Sequence, residues 1–262
     1  MKAKLGQRLS AQLITFVLIG ATLTFAPNPA GADLIFADSF DYPTGSLIGK
    51  GPPPGSPPGQ GAWRFSLGAP RVVPMALEFP GVFSDGKTAS LHGEDGTDGD
   101  RAAADLGPVT PDIGVVWVGF LVRRARGLER TRGFAVVALG NILDGPIPGI
   151  GMLFQHEVYG IDNDTGLPGA RSYTDILPSK DTVWLVTKLD FTTAQEYVWA
   201  NPAADTEPMI DDADAHLPMT DYFLANGFAE VQLRIGFTRS TFQFDELRVG
   251  TTFADVVDPA GN

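Results

Sequence analysis

Hydrophobic and polar residues alternate with a period of two along much of this chain, the spacing of half-buried β-strands. In EVQLRIGF, Val231, Leu233, Ile235 and Phe237 fall on one face, and Glu230, Gln232 and Arg234 on the other. In VWLVTKLDF, Val183, Leu185, Leu189 and Phe191 alternate, with Thr187 in phase. The run VVWVGFLVRR (115–124) is apolar on both faces up to Arg123, as expected of a central strand covered on both sides. Further strands are predicted at LIFADSF (34–40), GFAVVAL (133–139), GIGMLFQ (149–155) and QEYVWAN (195–201). Shorter ones are predicted near Trp63–Phe65, Leu77–Phe79, Ala89–Leu91 and Arg101–Leu106, and helical turns only near Thr220–Leu224 and Thr252–Val256.

The last strand breaks the alternation. Phe242 and Phe244 share one face, and Leu247 and Val249 share a face, yet even and odd positions point opposite ways in a regular strand. If all four are core residues, one extra residue sits at Asp245 or Glu246, the signature of a β-bulge. A bulge there re-aims a carboxylate out of the ladder.

Turn chemistry is dense, with 31 Gly and 21 Pro, and turns such as Asp144-Gly145-Pro146 and Asn163-Asp164-Thr165-Gly166 separate the strands. That is the cadence of an antiparallel sandwich. The Pro/Gly-rich stretch 49–61 (GKGPPPGSPPGQG) follows too few residues to link two domains, and reads as a long loop leaving the first strand.

Residues 1–32 read as a secretory signal peptide. Lys2, Lys4 and Arg8 form a basic start, Leu13–Phe25 an apolar core, and Ala30-Gly31-Ala32 a small-x-small cleavage site before Asp33. The apolar part is short of the ~20 residues a membrane span needs. The expected product, residues 33–262, is one all-β domain, secreted, periplasmic or on the cell surface, with no stable membrane insertion. The chain carries a formal charge of −12, and the leader contributes only basic residues, so the remainder is more acidic still. Such a charge repels nucleic acid and anionic lipid. The one basic cluster, Arg123, Arg124 and Arg126 with Arg130 and Arg132, follows a predicted strand and reads as a solvated loop. Without cysteine, thiol catalysis, Cys-based zinc sites and a lipoprotein anchor are all excluded.

Three separated segments match one pattern: Asp38-Ser-Phe-Asp-Tyr-Pro-Thr-Gly-Ser-Leu47 leading to Trp63; Trp184–Phe191 followed by Tyr197-Val-Trp-Ala-Asn-Pro202; and Phe244–Val256. In order, they resemble the exported bacterial branch of the concanavalin A-like lectin/glucanase superfamily, of LamG type. The resemblance implies a jelly-roll sandwich of two antiparallel sheets. It implies little about activity, since this fold hosts lectins, adhesion modules, glycosidases and lyases. By the same resemblance Asp245 would hold a structural Ca²⁺, with Asp38 or Asp41 and nearby carbonyls as partners. The alternative is that Asp245 accepts backbone N–H groups freed by the bulge.

Catalytic signatures are missing. Glycosidases need two carboxyl groups ~5–9.5 Å apart, and laminarinase-like relatives place them at i and i+2 of one strand. No predicted strand here carries that pair, and Glu246 with Arg248 reads as an exposed ion pair. His156-Glu157-Val-Tyr-Gly160 lacks the second histidine of a zinc-protease motif, and a nucleophile elbow is absent. His156 therefore reads as a structural residue, and a lyase using His156 or Tyr159 is weakly supported. The acidic stretches 94–100 and 162–166 offer oxygen ligands of the kind Ca²⁺ takes, but they match no calcium template and read as solvated turns. For stacking on sugar rings, Trp184, Trp199 and Tyr159 are the candidates, with both tryptophans outward of the core face. The preferred reading is a non-catalytic carbohydrate-binding or cell-surface module for a polysaccharide or glycoconjugate. A glycan-degrading enzyme with carboxylates from separate strands, and a purely structural envelope protein, are the alternatives.

Overall fold

In a computed structural model, residues 33–82, 84, 86–127, 133–140, 148–163 and 169–257 are described. In chain order the strands begin β1 (Leu34–Asp38), β2 (Gly45–Ser46), β3 (Arg64–Leu67), β4 (Arg71–Val73), β5 (Thr88–His92), β6 (Asp98–Val109), β7 (Val115–Arg126) and β8 (Phe134–Gly140). They continue as β9 (Gly149–Met152), β10 (Tyr159–Asp162), β11 (Arg171–Tyr173), β12 (Val183–Asp190), β13 (Gln195–Ala200), β14 (Ala215–Pro218), β15 (Phe228–Gly236) and β16 (Thr241–Gly250). Helix α1 (Asp221–Asn226) precedes β15, and α2 (Phe253–Val257) follows β16.

One sheet has nine strands in the order β14-β13-β12-β7-β16-β5-β4-β2, with β1 also paired to β16; the other has seven, β11-β10-β9-β8-β15-β6-β3. All pairings are antiparallel. The sheets pack as a β-sandwich jelly roll. Inward residues of both build one core, Val183, Leu185 and Leu189 from one layer and Val231, Leu233 and Ile235 from the other. The alternation in the sequence thus fixes which face of each strand is buried.

The bulge is at the predicted place. Asp245 pairs with Leu121 and Arg248 with Gly119, so three steps along β16 oppose two along β7. Glu246 is the inserted residue, at φ 46°. Because of it Phe242, Phe244, Leu247 and Val249 all reach the core, each fully buried.

The nine-stranded sheet is buried on its other face too. Trp117, Leu121, Trp184, Val186 and Trp199 point away from the main core and form a second apolar cluster with Leu77, Val82, Phe253 and Val256. Residues 77–82 and α2 are the lid on this cluster, which is why β7 is apolar on both sides. Three expectations change accordingly. Segment 77–79 forms only an isolated bridge, Phe79 with Val82, since its apolar residues cover a sheet instead of extending one. The Glu246–Arg248 pair, 3.8 Å apart, is buried and not exposed, because Arg248 lies under α2 and also reaches the Asp255 carbonyl. Phe237 leaves the core pattern of β15: at φ 55° its side chain turns outward, 37% exposed.

Candidate functional site

Among the described residues, the outer face of the seven-stranded sheet has no such lid. Residues out of phase with the core line a groove there with a cavity of about 300 Å³. Val136 and Ala138 of β8 with Gly149 of β9 form its floor, and Gly149 lies opposite both Ala138 and Asp162 across the ladders. A Cβ built on Gly149 would make ordinary contact with Val136 at 3.5 Å, so the missing side chain leaves the floor open without straining the backbone.

Phe134, Phe154 and Phe237 stand along the groove, with Phe237 5.4 Å from Phe154 and 6.3 Å from Phe134 between ring centroids. A bulky residue at positive φ is rare and costs free energy, on the order of 1–3 kcal/mol. Phe237 bears that cost where its ring becomes part of the groove wall. Gln155 and Glu157, at φ 71° and 55°, shape the turn that carries Phe154 and His156. His156 is exposed, its ring 4.4 Å from that of Tyr173.

The groove carries charges of both signs. Arg171 Nε donates to Asp162 Oδ2 at 2.5 Å, and the Arg234 guanidinium lies 5.7 Å from the Phe134 ring centroid. Beside the groove a polar ladder crosses three strands. Arg101 donates to Gln232 Oε1 at 2.7 Å, and Gln232 Nε2 donates to Glu230 at 3.4 Å. Arg64 donates to both Glu230 and Asp105. Asp105 and Glu230 are direct cross-strand partners, a carboxylate pair drawn from separate strands. Arg64 binds both, in the space where a glycosidic oxygen or an attacking water would have to lie.

The sequence-chosen residues lie elsewhere. Trp184 and Trp199 do point away from the main core, but they are 1% and 3% exposed beneath the lid of the nine-stranded sheet. Trp184 packs between Phe79 and Phe253, and Trp199 stacks on Trp117 while its Nε1 donates to the Met209 carbonyl at 3.1 Å. Tyr159 is fully buried in the main core, and burial pushes its hydroxyl pKa upward. None of the three presents a ring to solvent, which corrects the expectation of exposed stacking platforms.

Asp245 accepts from the Leu77 and Glu246 amides and the Ser84 hydroxyl, each at 2.9 Å, matching the amide-capping alternative. Asp38 accepts from the Phe40 amide, the Tyr42 hydroxyl and the Trp63 indole at 2.6–2.7 Å. Burial raises its pKa to about 6 against the pull of these three donors. Asp41 instead pairs with Lys87 at 2.5 Å on the surface. Among the described residues no group of three or more His, Asp or Glu side chains is placed to share a metal ion. Donors already point at both oxygens of Asp38 and Asp245, so this set does not fit a calcium ion as the resemblance implied. In the acidic stretches, Asp100 accepts the Ala69 and His92 amides and Asp162 binds Arg171, while residues 164–168 lie outside the described residues.

Sequence reasoning missed the phenylalanine wall. Phe134 opens a strand whose other outward residues are apolar, and Phe237 continued an apolar series in phase. The available signal was Gly236, a residue that lets the chain turn out of register just before Phe237.

No family model matches the chain, and no curated protein does either. Among solved structures, domain 4 of AbnA, a GH43 extracellular arabinanase from Geobacillus stearothermophilus in complex with arabinotriose, is similar over 87% of this chain and 99% of that one. Its TM-score is 0.53 and its identity 14%. A carbohydrate esterase from the Shiga toxin-encoding bacteriophage phi24B matches 72% of this chain and 89% of that one at 11% identity and TM-score 0.45. The binding domain of botulinum neurotoxin DC in complex with SialylT matches 71% of this chain at 9% identity and TM-score 0.44. The chain spans 44% of that domain's length. What the arabinanase domain and this chain share is a fold, the two-layered β-sandwich.

Proposed function

We propose that this is an exported, non-catalytic glycan-binding module of the concanavalin A-like type, and that sugar enters the groove on the outer face of the seven-stranded sheet. The observation that carries the reading is the groove itself: an apolar floor, a wall of phenylalanines including the strained Phe237, and charged side chains of both signs within reach. Sugars offer C–H faces that pack on aromatic rings and hydroxyls that both donate and accept hydrogen bonds. The arabinotriose bound to the similar arabinanase domain supports the same class of ligand. A glycan array probed with the protein tests the reading. Retention of glycans that is lost in Phe237→Ala, with the fold intact by circular dichroism, is the expected result; no retention of any glycan would refute it.

The catalytic alternative rests on the Asp105–Glu230 pair. Release of reducing sugar by the protein, abolished in Glu230→Gln, would favour it over binding alone. The position of Arg64 between the two carboxylates argues for a structural ion cluster.

A further inference from the structure

A sugar-binding groove can take the middle of a chain or its end, and the walls of this one discriminate between the two. We infer that it takes the terminal residue or terminal pair of a neutral glycan; the inference rests on the glycan-binding reading above. Strand register places the phenylalanines at one end of the groove. β8 begins at Phe134 opposite Gly236, the last residue of β15, and Ala135 lies opposite Met152, the last residue of β9. Phe237 and Phe154 follow those two strand ends, so all three rings collect at the same end.

The ring planes decide how a sugar can meet them. Phe237 is inclined 43° to Phe134 and 69° to Phe154. An extended polysaccharide lying flat needs rings in one plane, whereas these form a corner that wraps a single residue. The flanks are also bounded, by Asp162 and Arg171 of β10 and β11 on one side and by Arg234 of β15 with Asp98 of β6 on the other. The cavity of about 300 Å³ is at the lower bound of ligand pockets, about 300–1,000 Å³.

Charge selects the neutral class. Arg171 is engaged by Asp162, and Arg234 is engaged as well, lying over Phe134. A uronate, sialate or sulfate group would therefore have to displace an existing partner on a protein of net charge −12. The hydroxyls of a neutral sugar can share these groups without displacing them, accepting from guanidinium N–H and donating to the carboxylates.

The test is isothermal titration of the protein with laminarin, arabinan, xylan and galactomannan. Each is supplied intact, after partial endo-hydrolysis at equal mass, and as its di- and hexasaccharide, with polygalacturonate as the anionic probe. For a neutral glycan that binds, the sites titrated per gram should rise in proportion to new chain ends, and disaccharide and hexasaccharide should bind within about threefold of each other. Gly149→Leu, which fills the floor, should abolish this binding, and Gly149→Ala should weaken it if the larger variant fails to fold. A hexasaccharide favoured by about tenfold or more, equivalent to about 1.4 kcal/mol, overturns the terminal reading and leaves the glycan reading standing. Tighter binding of polygalacturonate overturns the neutral class. No binding by any probe overturns both readings.

Discussion

Replacing Glu196 by Gln should make the protein more stable at neutral pH and nearly unchanged near pH 4.5. Glu196 lies on the core face of β13, in phase with Val198, and its cross-strand neighbours are Leu189 and Leu217. It is fully buried, and among the described residues neither carboxyl oxygen has a hydrogen-bond partner. Burial alone pushes its pKa well above the ordinary value of 4.5, since no charged or donor group offsets it. The folded protein therefore keeps this proton where the unfolded chain has released it. Stability from this group is fully present below pH 4.5 and falls as pH rises, by about 1.4 kcal/mol per pH unit, until the folded carboxyl itself ionises. Asp38 adds a slope of the same sign between pH 3.8 and about 6, but it is common to both proteins and cancels in their difference. Urea unfolding at pH 4.5, 5.5 and 6.5 should show the Gln variant gaining about 1 kcal/mol on the parent over the first unit, where the unfolded carboxyl is still partly protonated, and about 1.3 kcal/mol over the second while the folded carboxyl keeps its proton. The pH at which the difference levels off marks the folded pKa. A difference that does not vary with pH would refute the reasoning.

Two further outcomes follow from the buried aspartates. The Trp63 indole N–H resonance should shift with a midpoint near pH 6, the folded pKa of Asp38, and Asp38→Asn should abolish that transition; a resonance unmoved between pH 4 and 8 would count against it. Asp245→Ala strands the Leu77 and Glu246 amides and the Ser84 hydroxyl. At about 1–3 kcal/mol for each buried donor left unsatisfied, thermal melts should show one of the larger single-residue losses in the protein. The melting temperature of the parent should not respond to calcium or EDTA, and a calcium-dependent rise lost in the variant would restore the metal role of Asp245.

The amino-acid sequence by itself determined the fold class and much of its detail. Period-2 alternation reports burial directly, because successive side chains on a strand face opposite layers. The broken alternation between Phe244 and Leu247 located the bulge for the same reason: only an inserted residue lets both apolar pairs face inward. The tertiary structure decided which outward face stays open. Trp184 and Trp199 are outward by phase, as Val136 and Ala138 are, and alternation cannot tell a face covered by distant segments from one left bare. Residues 77–82 and α2, far from β12 in sequence, bury Trp184, and Trp199 lies against Trp117 with its indole N–H on the Met209 carbonyl. Nothing among the described residues plays that part over β8 and β9, and Phe237, turned out by one left-handed residue conformation, completes the groove there. The candidate site is a property of pairings between remote segments, which local sequence does not encode.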